Sequence, residues 1–325
     1  MNIRGKHFLV TGGTGFIGSA LVRALVRGGA RVRSLDNDSR GAERRLGPEA
    51  ASVDLRLGDI RDPNAVAAAV EGVDCVCHLA YVNGTEFFYS KPELVLEVAV
   101  KGMMNVLDAC AVHHVRDLVL ASSSEVYQTP SRVPTDEQVP LVVPDVSNPR
   151  YSYGGGKIIC ELLAVNYGRT KFDRVTIFRP HNVYGPDMGL EHVIPQLILR
   201  LHEKAKSTPA GTIDLPIQGT GEETRAFVYI DDLVDGALRI IERGEHLGIY
   251  HIGTDTETRV GDLAHEIAAI YGREVRLVPG PLQPGGTPRR CPDITKVRRL
   301  GYEPRVSLRQ GLTPTVSWYR DHARR

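Results

Sequence analysis

The chain carries almost no net charge, few cysteines and no long apolar run, and each lack closes off a class of protein. Forty Lys and Arg against 39 Asp and Glu leave a formal charge of +1 over 325 residues, so no global field draws it to nucleic acid or to an anionic membrane. Its five cysteines, Cys75, Cys77, Cys110, Cys160 and Cys291, form an odd set without CxxC spacing. A chain of this length does not depend on a disulfide framework, so they are expected to be reduced and mostly buried, and no metal is expected. Gly12, Gly13, Gly15 and Gly18 interrupt the first apolar stretch, and no run approaches the ~18 residues of a membrane span. No repeat, low-complexity tract or separate linker is visible. With 42% hydrophobic and 24% charged residues, the chain reads as a soluble, cytoplasmic globular protein of one large α/β domain or two closely joined ones.

What is present is alternation. Short β-branched or apolar runs at 7–10, 31–35, 53–57, 75–79, 118–122 and 175–178 are separated by helical patterns at 16–26, 64–70, 94–113 and 153–167. That order predicts βαβ units and a parallel sheet. Prolines at 130, 134, 140, 144 and 149 forbid a regular element there, and a long loop beside a strand end is a common place for an active site. The C-terminal third, with helices over 260–271 and 308–319, reads as a smaller lobe closing over the strand ends, where ligands of open α/β sheets bind.

Thr11-Gly12-Gly13-Thr14-Gly15-Phe16-Ile17-Gly18 follows the first strand and opens the first helix. A glycine pattern alone could be a structural turn. With Asp36 ending the next strand, it predicts backbone N–H groups cradling a pyrophosphate and a carboxylate on a ribose diol. The same carboxylate would repel a 2′-phosphate, which favours NAD over NADP, although Arg40 lies close in sequence. Asp59 and Ile60, after the third strand, are read either as flanking the adenine or as a helix start.

Tyr153 and Lys157, four apart near a helix start, share one helix face. An ammonium beside a phenol stabilises the phenolate and brings a pKa of about 10 toward neutrality, making a usable proton acceptor. A lone YxxxK is commonly surface decoration. Here Ser122-Ser123-Ser124-Glu125 ends the fifth strand, offering hydroxyls to share a substrate hydroxyl with Tyr153 and, in Glu125, a second base.

Together, TGGTGFIG, Asp36, His78-Leu79-Ala80, the serine strand end, YxxxK and Arg179-Pro180-His181-Asn182-Val183-Tyr184-Gly185-Pro186 resemble the extended short-chain dehydrogenase/reductase family of nucleotide-sugar epimerases and dehydratases. Arg225 to Asp232 and Arg290 to Ile294 resemble that family's nucleotide-binding segments, so the resemblance runs the whole chain. It implies a Rossmann-like doubly wound parallel sheet over residues 1–180, with return segments near 225–255, holding NAD. It also implies a smaller C-terminal α/β lobe, mainly 181–325, holding a nucleoside diphosphate sugar, and a homodimer through the 94–113 and 153–167 helices. The implied cofactor residues are Gly12, Gly15, Phe16, Ile17, Gly18, Asp36, Asn37, Ser39, Arg40, Asp59, Ile60, Leu79, Ala80, Ser122, Tyr153, Lys157, Pro180 and Val183. Those implied for substrate are Asn182, Val193, Gln218, Arg225 and Arg290, the arginines through the phosphates. Without the motif each arginine would read as a surface ion pair and Asn182 as a turn residue. His181 and His78 read as packed beside the cofactor.

The implied catalytic set is Tyr153, Lys157, Ser123, Ser124 and Glu125. Its implied reaction begins with oxidation at the sugar C4 and then branches. Hydride return to the opposite face gives a 4-epimerase, which Asn182-Val183-Tyr184-Gly185-Pro186 favours. Ser123-Ser124-Glu125 is similar to the Thr-Ser-Glu of UDP-glucuronate decarboxylases and GDP-mannose dehydratases, so both stay open through Glu125. The acid of dTDP-glucose-type dehydratases is missing, since Ser124 stands there. A non-catalytic NAD sensor would predict loss of Tyr153 or Lys157, and both are present. Three departures stand out: Tyr81 where the family has alanine, Ala99 where it has asparagine, and Gly154-Gly155-Gly156 in a helix. Three helical glycines cost about 1 kcal/mol each, so they point to close approach of a ligand and to a bulky sugar such as a uronic acid or heptose.

Overall fold

Phe8 and Val10 point to one side of β1 (His7–Thr11) and Leu9 to the other, and all three are fully buried, so the strand requires cover on both faces. The computed structural model, which describes residues 1–281 and 287–322, supplies it. After β1 come α1 (Phe16–Arg27), β2 (Arg31–Asp36), β3 (Val53–Leu57), α2 (Pro63–Val70), β4 (Cys75–His78), α3 (Thr85–Ser90), α4 (Pro92–Val112), β5 (Asp117–Ala121), α5 (Ser152–Lys171) and β6 (Arg174–Pro180). The remainder adds β7 (Val183–Tyr184), α6 (Val193–Ser207), β8 (Ile213–Pro216), β9 (Thr224–Ala226), β10 (Val228–Tyr229), α7 (Ile230–Arg243) and β11 (Gly248–Ile252). Last come β12 (Glu257–Arg259), α8 (Val260–Tyr271), β13 (Val275–Val278), β14 (Arg289–Arg290), α9 (Thr295–Arg298) and α10 (Leu308–His322).

The main sheet has seven strands in the order β11-β6-β5-β4-β1-β2-β3, every neighbouring pair parallel. This is a Rossmann-like doubly wound sheet. The chain runs outward from β1 to β3 and then returns to place β4 on the other side of β1. A crevice therefore opens at the carboxyl ends of β1 and β4. Helices α1 and α7 cover one face through Leu21, Leu25, Leu233 and Ile240, while α2, α4 and α5 cover the other through Val66, Met103, Val106 and Cys160. A third core joins α6, α8 and α10 to the β8–β13 pair.

The strand that ends in serines stops at Ala121, so Ser122 to Glu125 leave the sheet rather than belong to it. Residues 130–148 contain no helix or strand, only an isolated bridge between Thr135 and Pro292. Helix α5 runs unbroken through Gly154, Gly155 and Gly156, entered from a short turn whose Arg150 N–H is capped by Asn148 at 3.0 Å. All five cysteines are free and buried. Among the described residues no helix is long and apolar enough to cross a membrane, and no group of three or more His, Cys, Asp or Glu is arranged to hold a metal ion.

Candidate active site

At the switch point the glycine turn is shaped by close approach. Gly12 has φ +72°, and a Cβ there would come within 2.8 Å of the Ala80 backbone; one on Gly18 would collide with the Gly12 carbonyl. Helix α1 begins at Phe16 with no side-chain cap, so its first N–H groups are free to bind an anion. Asp36 lies at the end of β2 and lines the cavity, while also accepting from the Thr14 and Asp38 N–H groups at 3.0 Å each. It thus holds the glycine loop as well as facing the crevice. Asp59 is gripped by Arg61 at 2.7 Å, which, against burial, brings its carboxyl down to about 2, and Asn37 adds a 3.2 Å bond. Arg40 is committed to Glu191 at 2.8 Å and to the Phe87 ring at 5.3 Å. Arg45 reaches Asp187 at 2.9 Å, so the 37–45 segment is tied to residues 187–191 across the cavity mouth.

The cavity, about 430 Å³, runs from the glycine turn to Tyr153 and Lys157. Lys157 is 4% exposed; its Nζ donates to the Ala121 carbonyl at 2.7 Å, and burial brings its pKa down to about 8. The expected lowering of the Tyr153 phenol is not what the site holds. Burial pushes it up to about 12, with Glu125 adding to the rise and Ser123 opposing it, while the Lys157 ammonium is turned to Ala121. Ser123 also caps the turn that follows it, its hydroxyl accepting from the Glu125 N–H at 3.1 Å. Beneath it, Ser122 donates to Glu161, which is held bidentately by Arg179 at 2.8 and 2.5 Å. Arg179 continues to the Tyr127 hydroxyl, and that to His251 Nε2 at 2.7 Å.

On the far side of Tyr153, β9 and β14 lie in register, placing Arg225 opposite Arg290. Arg290 pairs with the Glu125 carboxylate. Burial alone would raise that carboxyl, but Arg290, with Arg150 and Arg225 further off, holds it below its ordinary value. Burial and the neighbouring Arg290 bring Arg225 down to about 10, and its guanidinium donates to the Thr224 and Thr287 carbonyls at 2.7 and 2.6 Å. Three guanidiniums around one carboxylate leave excess positive charge, which suits a polyanionic ligand.

Residues 8–253 match the NAD dependent epimerase/dehydratase family. The chain belongs to that family. A UDP-N-acetyl-alpha-D-glucosaminuronate decarboxylase from Bacillus cytotoxicus is 31% identical over 97% of this chain and 98% of its own. A dTDP-glucose 4,6-dehydratase from Streptomyces niveus is 32% identical over 97% and 93%. Among solved structures, a Thermus thermophilus UDP-glucose 4-epimerase in complex with NAD superimposes with a TM-score of 0.84 at 25% identity, covering 97% of this chain and 99% of that one. Three relatives carry three reaction names, so identity does not choose among them. The cofactor is NAD, and the cradle at Gly12 and Gly18, the uncapped α1 and Asp36 fit its pyrophosphate and ribose.

In this family member the cavity brings together Gly12, Gly15, Phe16, Ile17, Gly18, Asp36, Asn37, Ser39, Arg40, Asp59, Ile60, Leu79, Ala80, Ser122, Tyr153, Lys157 and Pro180. Val183 does not line it and packs against the α1–α7 core, Val193 packs in the third core, and Gln218 is exposed beyond β8. Asn182 donates to the Ala226 carbonyl at 3.1 Å with φ +39°, a turn role, and does not line the cavity. Buried His78 bonds Thr11 at 2.8 Å, and burial with Lys157 nearby brings it down to about 3. His181 packs 4.6 Å from His251, both ring nitrogens without a partner among the described residues. Two of the three glycines in the run are explained by crowding inside the fold, and Gly155 is not. A Cβ at Gly154 would meet the Glu125 carbonyl at 2.8 Å, and one at Gly156 would overlap the Tyr81 hydroxyl, so these two positions need no bulky sugar to account for them. Sequence reasoning missed Glu161, one turn beyond Lys157, and the 187–192 segment with Trp318, which also line or support the cavity.

Proposed function

We propose that the chain is a nucleotide-sugar 4-epimerase. The observation carrying the reading is that Tyr153 and Lys157 line one end of the cavity, while Ser123, Glu125 and the Arg225–Arg290 cluster stand outside its lining and are joined to it through the Tyr153 phenol, on which Ser123 and Glu125 both act, and through the Glu125–Arg290 pair. In this reading residues 1–180, with 225–255, hold NAD, and 181–325 mainly hold the sugar nucleotide, its phosphates on Arg225 while Arg290, expected there as well, keeps the Glu125 carboxylate. Bound NAD supplies the hydride acceptor and donor for the sugar C4. Tyr153 takes the proton from the O4 hydroxyl, which Ser123 orients, and gives it back after the 4-keto sugar has presented its other face. The Lys157 ammonium lies on the same helix face, and its positive charge favours the phenolate form that accepts the O4 proton.

Two observations favour epimerisation over elimination. Glu125 is clamped by Arg290 and held ionised below its ordinary pKa, which makes it a weak base for a carbon-bound proton. Ser124 supplies no acid for a departing hydroxyl. A second reading, a UDP-glucuronate-type decarboxylase or a 4,6-dehydratase using Glu125, draws on that carboxylate being near enough to raise the Tyr153 pKa. Leu96 on α4 and Ile159 and Leu162 on α5 remain exposed apolar residues on two packed helices, which supports a homodimer, and five free buried thiols support a cytoplasmic setting.

The test is incubation with NAD and UDP-, GDP-, dTDP-, CDP- and ADP-sugars in deuterated water, with products read by mass and NMR. A product of unchanged mass, inverted at C4 and free of solvent deuterium, is expected. Loss of water or carbon dioxide with deuterium entering the sugar overturns the reading in favour of the second.

A further inference from the structure

Tyr81 leaves β4 and turns its side chain under α5, into a corner that no role assigned above uses. The Lys157 Nζ stands 4.0 Å from the centre of its ring. Its hydroxyl donates to the Tyr153 carbonyl at 3.2 Å, and its ring meets the Tyr153 ring edge-on at 5.1 Å and 79°. Burial pushes the Tyr81 phenol well up, so the hydroxyl remains a neutral donor. The arrangement depends on what is missing around it. A Cβ at Gly156 would overlap the Tyr81 hydroxyl and come within 2.9 Å of the Ala99 Cβ, and Ala99 is itself fully buried. Two small residues on neighbouring helices therefore leave a space that the phenol fills.

An ammonium has three N–H directions. In Lys157 one is used by the Ala121 carbonyl and a second faces the Tyr81 ring, a favourable contact for a cation. The third is left for the cavity that Lys157 lines. We infer that Tyr81 is a positioning residue, aiming the free N–H of Lys157 into the cavity and fixing the first turn of α5, in space vacated by Gly156 and Ala99. The inference rests on the reading of Tyr153 and Lys157 as the working pair.

Four variants test it: Tyr81→Phe, which keeps the ring, Tyr81→Leu, which removes it, Gly156→Ala alone, and Gly156→Ala combined with Tyr81→Phe. NADH affinity, read by nicotinamide fluorescence, is expected to weaken about 3- to 30-fold in Tyr81→Leu and to stay within about twofold of wild type in Tyr81→Phe. Turnover in Tyr81→Phe is expected to fall about 2- to 10-fold in kcat at little changed KM, the effect of one lost hydrogen bond. Gly156→Ala is expected to lower the urea midpoint less in the Tyr81→Phe background than alone, because the colliding hydroxyl is gone. Tyr81→Leu binding NADH like wild type, or equal Gly156→Ala effects in both backgrounds, overturns the inference. Failure of every sugar to react, with the NADH loss and the coupling intact, overturns the epimerase reading and leaves the role of Tyr81 standing.

Discussion

Replacing Lys157 by methionine isolates the free energy the fold invests in its candidate catalytic ammonium. Lys157 is 4% exposed, and burial brings its pKa from 10.5 down to about 8. The folded chain therefore releases this proton more readily than the unfolded chain. Folding carries the full penalty below about pH 8, and the penalty is relieved as pH rises and gone above about 10.5. The gap between the two values corresponds to about 3 kcal/mol. Methionine removes the penalty but also removes the 2.7 Å bond to the Ala121 carbonyl and the contact with the Tyr81 ring, losses of about 1–3 and about 0.5–2 kcal/mol. Near pH 7 the gains and losses nearly cancel, so the ligand-free variant is expected to be about as stable as wild type while inactive. The pH dependence does not cancel. Urea unfolding of both proteins from pH 7 to 10 is expected to show wild type gaining most of about 3 kcal/mol on the variant, since the other titrating groups are shared. Parallel stability curves across that range would refute a buried, depressed lysine.

Glu161→Gln is expected to cost about 3–5 kcal/mol, because it strands the 2% exposed Arg179 without its charge partner; the urea midpoint checks it, and Glu161→Gln with Arg179→Met is expected to recover part of the loss. Gly155→Ala is expected to stabilise by about 0.4–1 kcal/mol. A Cβ there meets only Val143, at an ordinary 3.6 Å, so a lower midpoint than wild type would show that the middle glycine is needed.

Local pattern carried the fold. The strict alternation of Phe8, Leu9 and Val10, and of Cys75, Val76 and Cys77, sends neighbours to opposite cores, and a period of two survives in one dimension. The glycine turn was legible for the same reason: strand, turn and helix are contiguous. The ends of elements were less so, because α5 continues to Lys171, past the last apolar residue of its pattern. The site beyond the turn depends on pairs that no local pattern joins. Arg40 meets Glu191 across 151 residues and Arg45 meets Asp187 across 142. Val193 and Gln218 were expected from resemblance alone, and neither side chain reaches the cavity.

Glu125 makes the same point about chemistry rather than fold. By residue type it reads equally as a base for a C5 proton or as an ion-pair partner, and the choice belongs to Arg290, 165 residues away. Clamped by that guanidinium, the carboxylate is a poor base. Any ligand that draws Arg290 to a phosphate weakens the clamp, and the desolvation that burial imposes then raises the Glu125 pKa and strengthens it as a base. A chain whose Arg290 keeps Glu125 while Arg225 takes the phosphate returns the hydride and epimerises. One whose Arg290 lets go has a base beside the oxidised sugar and eliminates. In the epimerase reading proposed above, the choice between the two reactions therefore turns less on which residues are present than on which partner Arg290 keeps.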